Sequence, residues 1–562
     1  MRTIQHSVSL CVVGGGMAGL CCAIAAARHG TKVLLVQDRP VLGGNASGEI
    51  RMFIGGAKGK DNRETGIIEE IMLENYYQNP GLKFPVWDSV LYEKAKAEKN
   101  LTLLLNTTCF DAQMEGNRIR SIKAWQLNAE TFHEITADYF ADCSGDSILA
   151  PLSGAHFMYG REAKSDFGES IPPDIADKKT MGMSCLFQIR ETDHPVKFTP
   201  PSWAYKYESE EDLPYKDHEK DNNYWWIELG GEWDCIHDTD RCRDELLKIC
   251  YGVWDHMKNH GDHGVENWEL EWIGFLPGKR ESRRYVGKHV ITENDVRAEG
   301  RFSDIVAYAG WSMDDHFPEG FYYKKGHPTI YHKAPSPWGL PLRCMISENI
   351  ENLVFAGRNI SATHAALSSC RVMATCATLG QALGTAVAQA LRERVPISEV
   401  DIPTLQNTLM EDDHHIPWHT RRVSPLAEQA TCSAPIVRNG RERGDENLWI
   451  GGKGDEIAYT FEKDTDIKEI RLVFDSDLNR PLYNMPCYYP LEQKGYKVPT
   501  TLIKEYAVVG ENERGERFFL TVTDNHLRFV KHRVDWKVKT VRFVPASTHG
   551  SADFRLFGFE VK

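Results

Sequence analysis

The sequence predicts an α/β protein in three parts: a Rossmann-like dinucleotide-binding domain, an α+β substrate domain inserted into it, and an all-β, sandwich-like domain at the C-terminus. Three observations carry this reading. A glycine turn, Gly14-Gly15-Gly16-Met17-Ala18-Gly19, sits between a strand pattern and a helix pattern near the start of the chain. A second strand, glycine and helix segment, ENLVFAGRNISATHAALSSCRVMATCATLGQALGTA, returns at residues 351–386. After about Arg421 the texture turns to short β-rich runs, KEIRLVF, RFFLTVT, KTVRFVP and FRLFGFEV, separated by Gly, Asn and Asp turns.

Taken in order, Ser7 to Val13 reads as a buried strand, Ala18 to His29 as a small-residue helix able to approach a sheet closely, and Lys32 to Val36 as the next strand. This βαβ unit places Gly14, Gly16 and Gly19 at the strand-to-helix turn, where backbone N–H groups and a helix N-terminus meet a pyrophosphate. The second strand ends on Gln37, followed by Asp38 and Arg39. A carboxylate usually holds the ribose there, so a neutral side chain beside an arginine admits two cofactors: NADP, whose 2′-phosphate an arginine would pair, or FAD held by a neutral hydrogen bond. Further on, Tyr139 to Asp142 reads as a strand running into the turn Ser144-Gly145-Asp146, and Leu353 to Ala356 as a strand before Gly357. A long helix is expected from about Ser368, with Ala377, Gly380 and Gly384 forming a tight-packing face. The dinucleotide domain is therefore discontinuous, with parts at 1–156 and 345–420, the insert at 157–344 and the β domain at 421–562.

At 562 residues the chain exceeds a single core, and its net charge of −14 argues against a nucleic-acid partner. The opening MRTIQHSVSLCVVGGG starts a strand at once and shows no secretory signal, and no apolar run reaches the length of a membrane span. Cysteines in apolar settings (Cys11, Cys21, Cys22, Cys370, Cys376) without any CxxC pair fit a reducing, cytoplasmic compartment and leave zinc and iron–sulfur sites without support.

GGGMAG with LGGNASGEIRM, PGKRESRR (277–284), GWSMDDH (310–316), PWGLPLRC (337–344) and the 351–386 segment together resemble bacterial FAD-dependent oxidoreductases of the glutathione-reductase-type fold, distantly like the fumarate reductase and succinate dehydrogenase flavoproteins. The resemblance covers about Ser7 to Trp418 and implies a Rossmann-like FAD-binding domain. It assigns the pyrophosphate to Gly14, Gly16, Met17, Ala18 and Gly19, with Gly357 and Arg358 closing from the other side. Gln37, Asp38 and Arg39 fall at the ribose, Gly43, Gly44, Asn45 and Ser47 along the ribityl chain and ring, and Cys109, Ser144, Gly145 and Asp146 at the remaining contacts. Helix N–H groups near Ser369 to Val372, with Arg371, face the flavin edge that becomes negative on reduction. NADP explains neither the LGGN turn nor the late helix, so Gln37 is read as a neutral ribose partner for FAD. No histidine lies in the GGNAS segment, which implies a non-covalent flavin.

Oxidation of an alcohol or amine needs a proton acceptor, and His316 and His364, each within a matching motif, are the candidate bases. Arg283, Arg343 and Arg51 are candidates to orient a polar substrate, whereas Arg284 and Glu281 read as a local salt bridge. Seven tryptophans, Trp203, Trp225, Trp226, Trp233, Trp254, Trp268 and Trp272, crowd residues 203–272, as sugar-stacking faces or as ordinary core. His256 and His260 have metal-pair spacing but no evident third ligand and read as a solvated helix end, so no residue is assigned to a metal. The expected activity is hydride transfer from a small polar substrate, with a sugar or glycoside favoured. Reduction of an unsaturated acid, or a carbohydrate-binding assembly role with structural FAD, stay open. The electron acceptor and the oligomeric state are not readable from the residues.

Overall fold

The computed structural model describes residues 1–220, 222–480, 485 and 497–562. They fall into two compact units. One gathers Met1–Ala57 with Leu82–Asp401; the other gathers Lys58–Gly81, Ile402–Leu482 and Gly495–Lys562. The segment Lys58–Gly81 thus belongs with the C-terminal residues, and the C-terminal unit begins at Ile402 where the sequence suggested 421.

The first unit is built on a seven-stranded mixed sheet. β1 (Arg2–Val13), β2 (Val33–Val36), β3 (Leu101–Leu104) and β6 (Thr131–Asp142) run parallel in the order β3-β2-β1-β6, and the Leu353–Phe355 strand pairs parallel with the end of β6. The hairpin of β4 (Thr107–Glu115) and β5 (Arg118–Gln126) pairs antiparallel with the first half of β6. Register is the point that matters for function. Val13 pairs with Val36 and with Asp142, and Asp142 pairs with Phe355, so four strands end in one row. The residues just beyond that row are Gly14, Gln37, Cys143 and Ala356, at the carboxyl ends of parallel strands where open α/β sheets bind ligands.

Helix α1 (Met17–Arg28) is buried from Met17 to Ala27 against the Met373–Glu393 helix. A Cβ on Gly380 would lie 2.0 Å from the Ala18 carbonyl oxygen, and one on Gly384 2.2 Å from that of Cys22, so the small-residue face sets how closely the two helices approach. The expected single helix from Ser368 is instead two, His364–Cys370 and Met373–Glu393, broken where Val372 adopts an extended backbone.

In the insert, short strand pairs and the Thr239–Asn259 helix enclose a core containing Phe187, Tyr224, Trp226, Trp254 and Trp268. For these three tryptophans the core reading holds, while Trp203 is half exposed. His256, expected at a solvated helix end, is fully buried.

The second unit is all-β in its C-terminal part, as expected. Its described strands join into one seven-stranded antiparallel sheet in which the long Ile457–Phe474 and Phe529–Thr548 strands lose register between Thr460 and Thr465 and between Ile467 and Glu469. No helix among the described residues is long and apolar enough to cross a membrane.

Candidate functional site

The turn after β1 is shaped by what a side chain would strike. Gly14 has φ +103°, and a Cβ there would lie 2.5 Å from the Cys143 carbonyl oxygen. At Gly16 a Cβ would meet only the Gly44 Cα, at 3.8 Å, so this backbone face is open. The second glycine loop is tied to the first by the Gly43 N–H donating to the Gly15 carbonyl at 2.9 Å. Gly16 caps α1 without any side-chain bond, and no acid stands in the first turn. The result is a backbone cradle at a positively polarised helix end, next to the buried Met17 and Ala18, suited to a diphosphate.

Gln37 does something other than the sequence suggested. Its Oε1 accepts from the Gly15 N–H at 2.6 Å and its Nε2 donates to the Val41 carbonyl at 3.0 Å, with the side chain buried. Both ends of the amide are taken by backbone, so Gln37 clamps the two glycine loops together where a ribose partner was expected. Arg39 reaches Glu49 at 3.4 Å and Asp38 at 3.8 Å, and Asn45 donates to the Lys279 carbonyl at 3.0 Å. The Cys109 side chain is part of the apolar core, where burial, with Asp142 adding, pushes the thiol up to about 12.

On the other side, buried Asp142 holds the Ser144-Gly145-Asp146 turn by accepting from the Ser144 N–H and hydroxyl, the Leu149 N–H and the Tyr285 hydroxyl. Asp146 pairs with Arg358 and with Lys279, both at 2.7 Å. Burial would raise the Asp146 carboxyl, but these two cations outweigh it and hold it well below the ordinary range. A Cβ on Gly145 would lie 2.8 Å from the Arg358 Nε, so the missing side chain lets Arg358 lie across the turn.

The candidate bases stand in two matching clusters. His364 places Nδ1 2.8 Å from Glu281 and Nε2 3.1 Å from Asp315, and its backbone N–H donates to Glu162. His316 places Nδ1 2.7 Å from Glu228 and Nε2 3.4 Å from Asp314. Asp314 and Asp315 are neighbours on the Met313–His316 strand, so alternation sends one carboxylate to each cluster. Arg284 bridges Glu281 at 3.2 Å, as its spacing suggested, and also Glu162 at 2.9 Å; Arg280 lies 3.5 Å from Glu228 and Arg371 3.5 Å from Asp314.

This geometry argues against the role of base expected of both histidines. Burial would lower the His364 imidazole, but Glu281 and Asp315 raise it to about 10. His316 is likewise raised, burial being outweighed by Glu228 and Asp314. Raised that far, His364 keeps its proton at neutral pH and is not free to accept another, and the two carboxylates bias His316 in the same direction. Sequence reasoning quoted the DDH doublet without seeing that its acids hold the histidines, and it missed Glu228 and Glu162, which come from distant segments with no motif of their own.

Among the arginines, Arg343 is bidentate to Asp304 with its side chain 47% exposed, so it is a surface pair and not a substrate clamp. Arg283 lies over the Phe157 ring and Arg51 between the rings of Phe84 and Trp272, donating to Gln188 at 2.7 Å. Arg371, at the break between the two helices, has a buried Nε with no hydrogen-bond partner, and Ser47 Oγ in the second glycine loop is buried without one too. Ser369, expected near the long helix N-terminus, is inside the first helix and links Trp338 to the Trp311 carbonyl.

The open cradle, the uncapped helix and these two orphaned polar atoms fit an FAD, which Gly14 to Gly16, Gly43, Gly44, Ser47 and the Val372 helix start would hold. A 63-residue stretch is 40% identical to glycerol-3-phosphate dehydrogenase of Mycobacterium leprae and, equally, to glycerol-3-phosphate dehydrogenase 2 of Mycobacterium tuberculosis, and in each case covers 11% of this chain and only 11% of the relative. Solved structures that overlap include a geranylgeranyl bacteriochlorophyll reductase-like protein of Thermoplasma acidophilum (14% identity, 74% of this chain and 93% of that one, TM-score 0.31). Another is quinol fumarate reductase of E. coli (11% identity, 74% of each chain, TM-score 0.29). A family model described as FAD dependent oxidoreductase matches residues 9–409, and the chain accordingly belongs to that family.

Proposed function

We propose that the enzyme oxidises a small, neutral, polyhydroxylated substrate, a sugar or polyol. FAD supplies the acceptor for the two electrons that leave the substrate carbon; the chain's own residues bind and orient. The observation that carries the reading is the balance of the buried network. Every cation in it already faces a carboxylate: His364 faces Glu281 and Asp315, His316 faces Glu228 and Asp314, Arg284 faces Glu162, Arg280 faces Glu228 and Arg371 faces Asp314. Within this network no guanidinium is left over for a substrate carboxylate, and Arg343 and Arg358 are committed in the same way to Asp304 and Asp146; Arg283 and Arg51 lie outside it, held by the Phe157 ring and by Phe84, Trp272 and Gln188. A neutral substrate leaves that balance undisturbed, whereas an acid would have to displace a resident carboxylate.

Shape supports the same choice. The half-buried Trp225 ring stands edge-on 5.5 Å from His316 and 5.6 Å from His327, which is 5.8 Å from Tyr331. Such a wall offers flat apolar faces to the C–H side of a sugar ring beside charged groups for its hydroxyls. The non-covalent state of the FAD belongs to this proposal as well. Anaerobic mixing with aldoses and polyols tests it: bleaching of the oxidised flavin supports the reading. Failure to bleach, with reoxidation of chemically reduced enzyme by an unsaturated acid, overturns it in favour of the reductase. Silence in both directions overturns it in favour of a structural cofactor.

A further inference from the structure

The geometry points to a metal site in the insert, remote in sequence from the glycine loops: Glu210, His218, His256 and His263 form a four-ligand cage for one divalent transition-metal ion, zinc being the best match. One ligand atom from each residue lies within 4.8 Å of all the others. The three imidazole centroids are 5.0 Å apart in every pairing. The Glu210 carboxylate is 3.1 Å from His218 Nε2, 3.2 Å from His256 Nε2 and 3.3 Å from His263 Nε2. Four ligands at the zinc distance of about 2.0–2.1 Å, set at tetrahedral angles, have donor atoms about 3.3 Å apart and imidazole centroids about 5 Å apart. The three carboxylate-to-imidazole distances and the three centroid spacings meet these values before any ion is placed.

Proton counting leads to the same place. His218 Nδ1 lies 2.6 Å from the Lys216 carbonyl and His256 Nδ1 2.9 Å from the Tyr207 carbonyl. A carbonyl only accepts, so Nδ1 carries the proton in both rings and Nε2 of the neutral imidazole is a lone pair. Those lone pairs face carboxylate oxygens that are also acceptors, a repulsive arrangement unless a cation stands between them. His263 Nε2 is buried with no hydrogen-bond partner, on a side chain only 8% exposed. Protonating all three rings instead would place three imidazolium ions against one carboxylate. A single divalent ion satisfies every lone pair at once, and the Nδ1–H to carbonyl bonds are the outer-shell contacts that orient metal-bound histidines.

The donor set selects the ion. Three imidazoles and one carboxylate suit zinc and related first-row metals, and exclude the oxygen-only preference of calcium and magnesium. All four positions are filled by protein, the mark of a structural and not a catalytic centre. The cage ties the 210–218 loop to the last turn of the Thr239–Asn259 helix and to the turn after it. His260, which the sequence spacing paired with His256, stays outside and faces Asp255 at 3.5 Å.

The test is metal analysis of the purified, FAD-loaded protein after desalting, followed by zinc titration of chelator-stripped protein against a chromophoric competitor. About one zinc per chain is expected, with affinity falling at least about a hundredfold in His263→Gln and in Glu210→Gln, beyond the range for outer-shell changes alone. His260→Gln should keep the parental value. Unchanged FAD content shows that a variant is folded. Zinc-edge X-ray absorption on the parental protein needs no variant, and should show three imidazoles and one oxygen. No stoichiometric zinc as isolated together with no tight uptake, a shell containing sulfur or six oxygens, or zinc lost with His260 and kept without His263, would each overturn the assignment.

Discussion

His364 and His316 each lie between two carboxylates, whereas His218, His256 and His263 share one. All five are histidines set well inside one polypeptide, yet the count of acids per imidazole separates their chemistry. Two carboxylates turn a buried imidazole into a fixed cation, because Coulomb attraction exceeds the desolvation that would strip its proton. One carboxylate among three imidazoles leaves lone pairs facing acceptors, and only an added cation resolves that. A buried histidine is therefore a base, a resident cation or a ligand according to what its two nitrogens face, which residue type alone does not reveal.

The sharpest way to break this comparison is to remove an acid from each region. Glu281→Gln leaves His364 and the fully buried Arg284 short of a counter-charge, and should cost about 3–5 kcal/mol in denaturant unfolding, the range for breaking a buried pair. Glu210 is 66% exposed, so in metal-free protein Glu210→Gln should cost under about 1 kcal/mol. Equal losses would erase the distinction between the two regions.

pH offers the next contrast. The His364 pKa is raised from 6.5 in the unfolded chain to about 10, so its contribution is fully present below the unfolded value and is lost as pH rises through the folded one. Parental protein should therefore lose about 2–4 kcal/mol between pH ~6.5 and ~10, and His364→Gln should show a flatter alkaline profile. On the acid side Glu281 and Asp315 are lowered, burial being outweighed by His364 in each, so their contribution is lost as pH falls below the ordinary carboxylate range. A parental profile flat across the alkaline window would mean that His364 is neutral and restore it as a base.

Zinc sharpens the other half. At free zinc about a hundredfold above Kd, binding should stabilise the insert by about 2.7 kcal/mol, read as a rise in unfolding temperature that a chelator reverses. The Glu281 and His364 variants should keep that rise, since neither residue supplies a ligand to the cage. Glu210→Gln should lose it.

What the sequence made legible follows from how locally each feature is encoded. The βαβ unit, the glycine turns and the Gly380 and Gly384 packing face are short-range patterns, and the structure reproduces them within a residue except at the first strand, which begins at Arg2 where Ser7 was expected. The helix break at Val372 was hidden because Ala365, Ala366 and Leu367 before it and Met373 and Ala374 after it favour helix, while the Ala374 N–H is drawn to the Gly55 carbonyl, a tertiary contact. Charge partners were less readable still. Glu228 reaches His316 across 88 positions and Glu281 reaches His364 across 83, so motif reading found the histidines and missed what fixes their protonation. The metal cage fails for the same reason: Glu210 with His218, and His256 with His263, are two loose pairs joined only by the fold of the insert. Spacing along one helix favoured His260 instead.

Gln37→Glu is the smallest and most diagnostic change, because it creates the inverse of the histidine cage: a buried acid with no cation of its own. One carboxylate oxygen would keep the bond from the Gly15 N–H, strengthened by charge and by the uncapped start of α1. The other would replace Nε2 and face the Val41 carbonyl at 3.0 Å, acceptor against acceptor. The charge-assisted gain nearly offsets the lost donor, so the variant should be destabilised by about 1 kcal/mol and bind FAD less than about tenfold more weakly, measured by thermal unfolding and by titrating apoprotein with FAD. Complete loss of FAD would show that the Val41 bond holds the second glycine loop in register against the first. Tighter binding would show that a ribose hydroxyl takes up the new oxygen, returning Gln37 to the role of ribose partner that its present bonds to Gly15 and Val41 withhold.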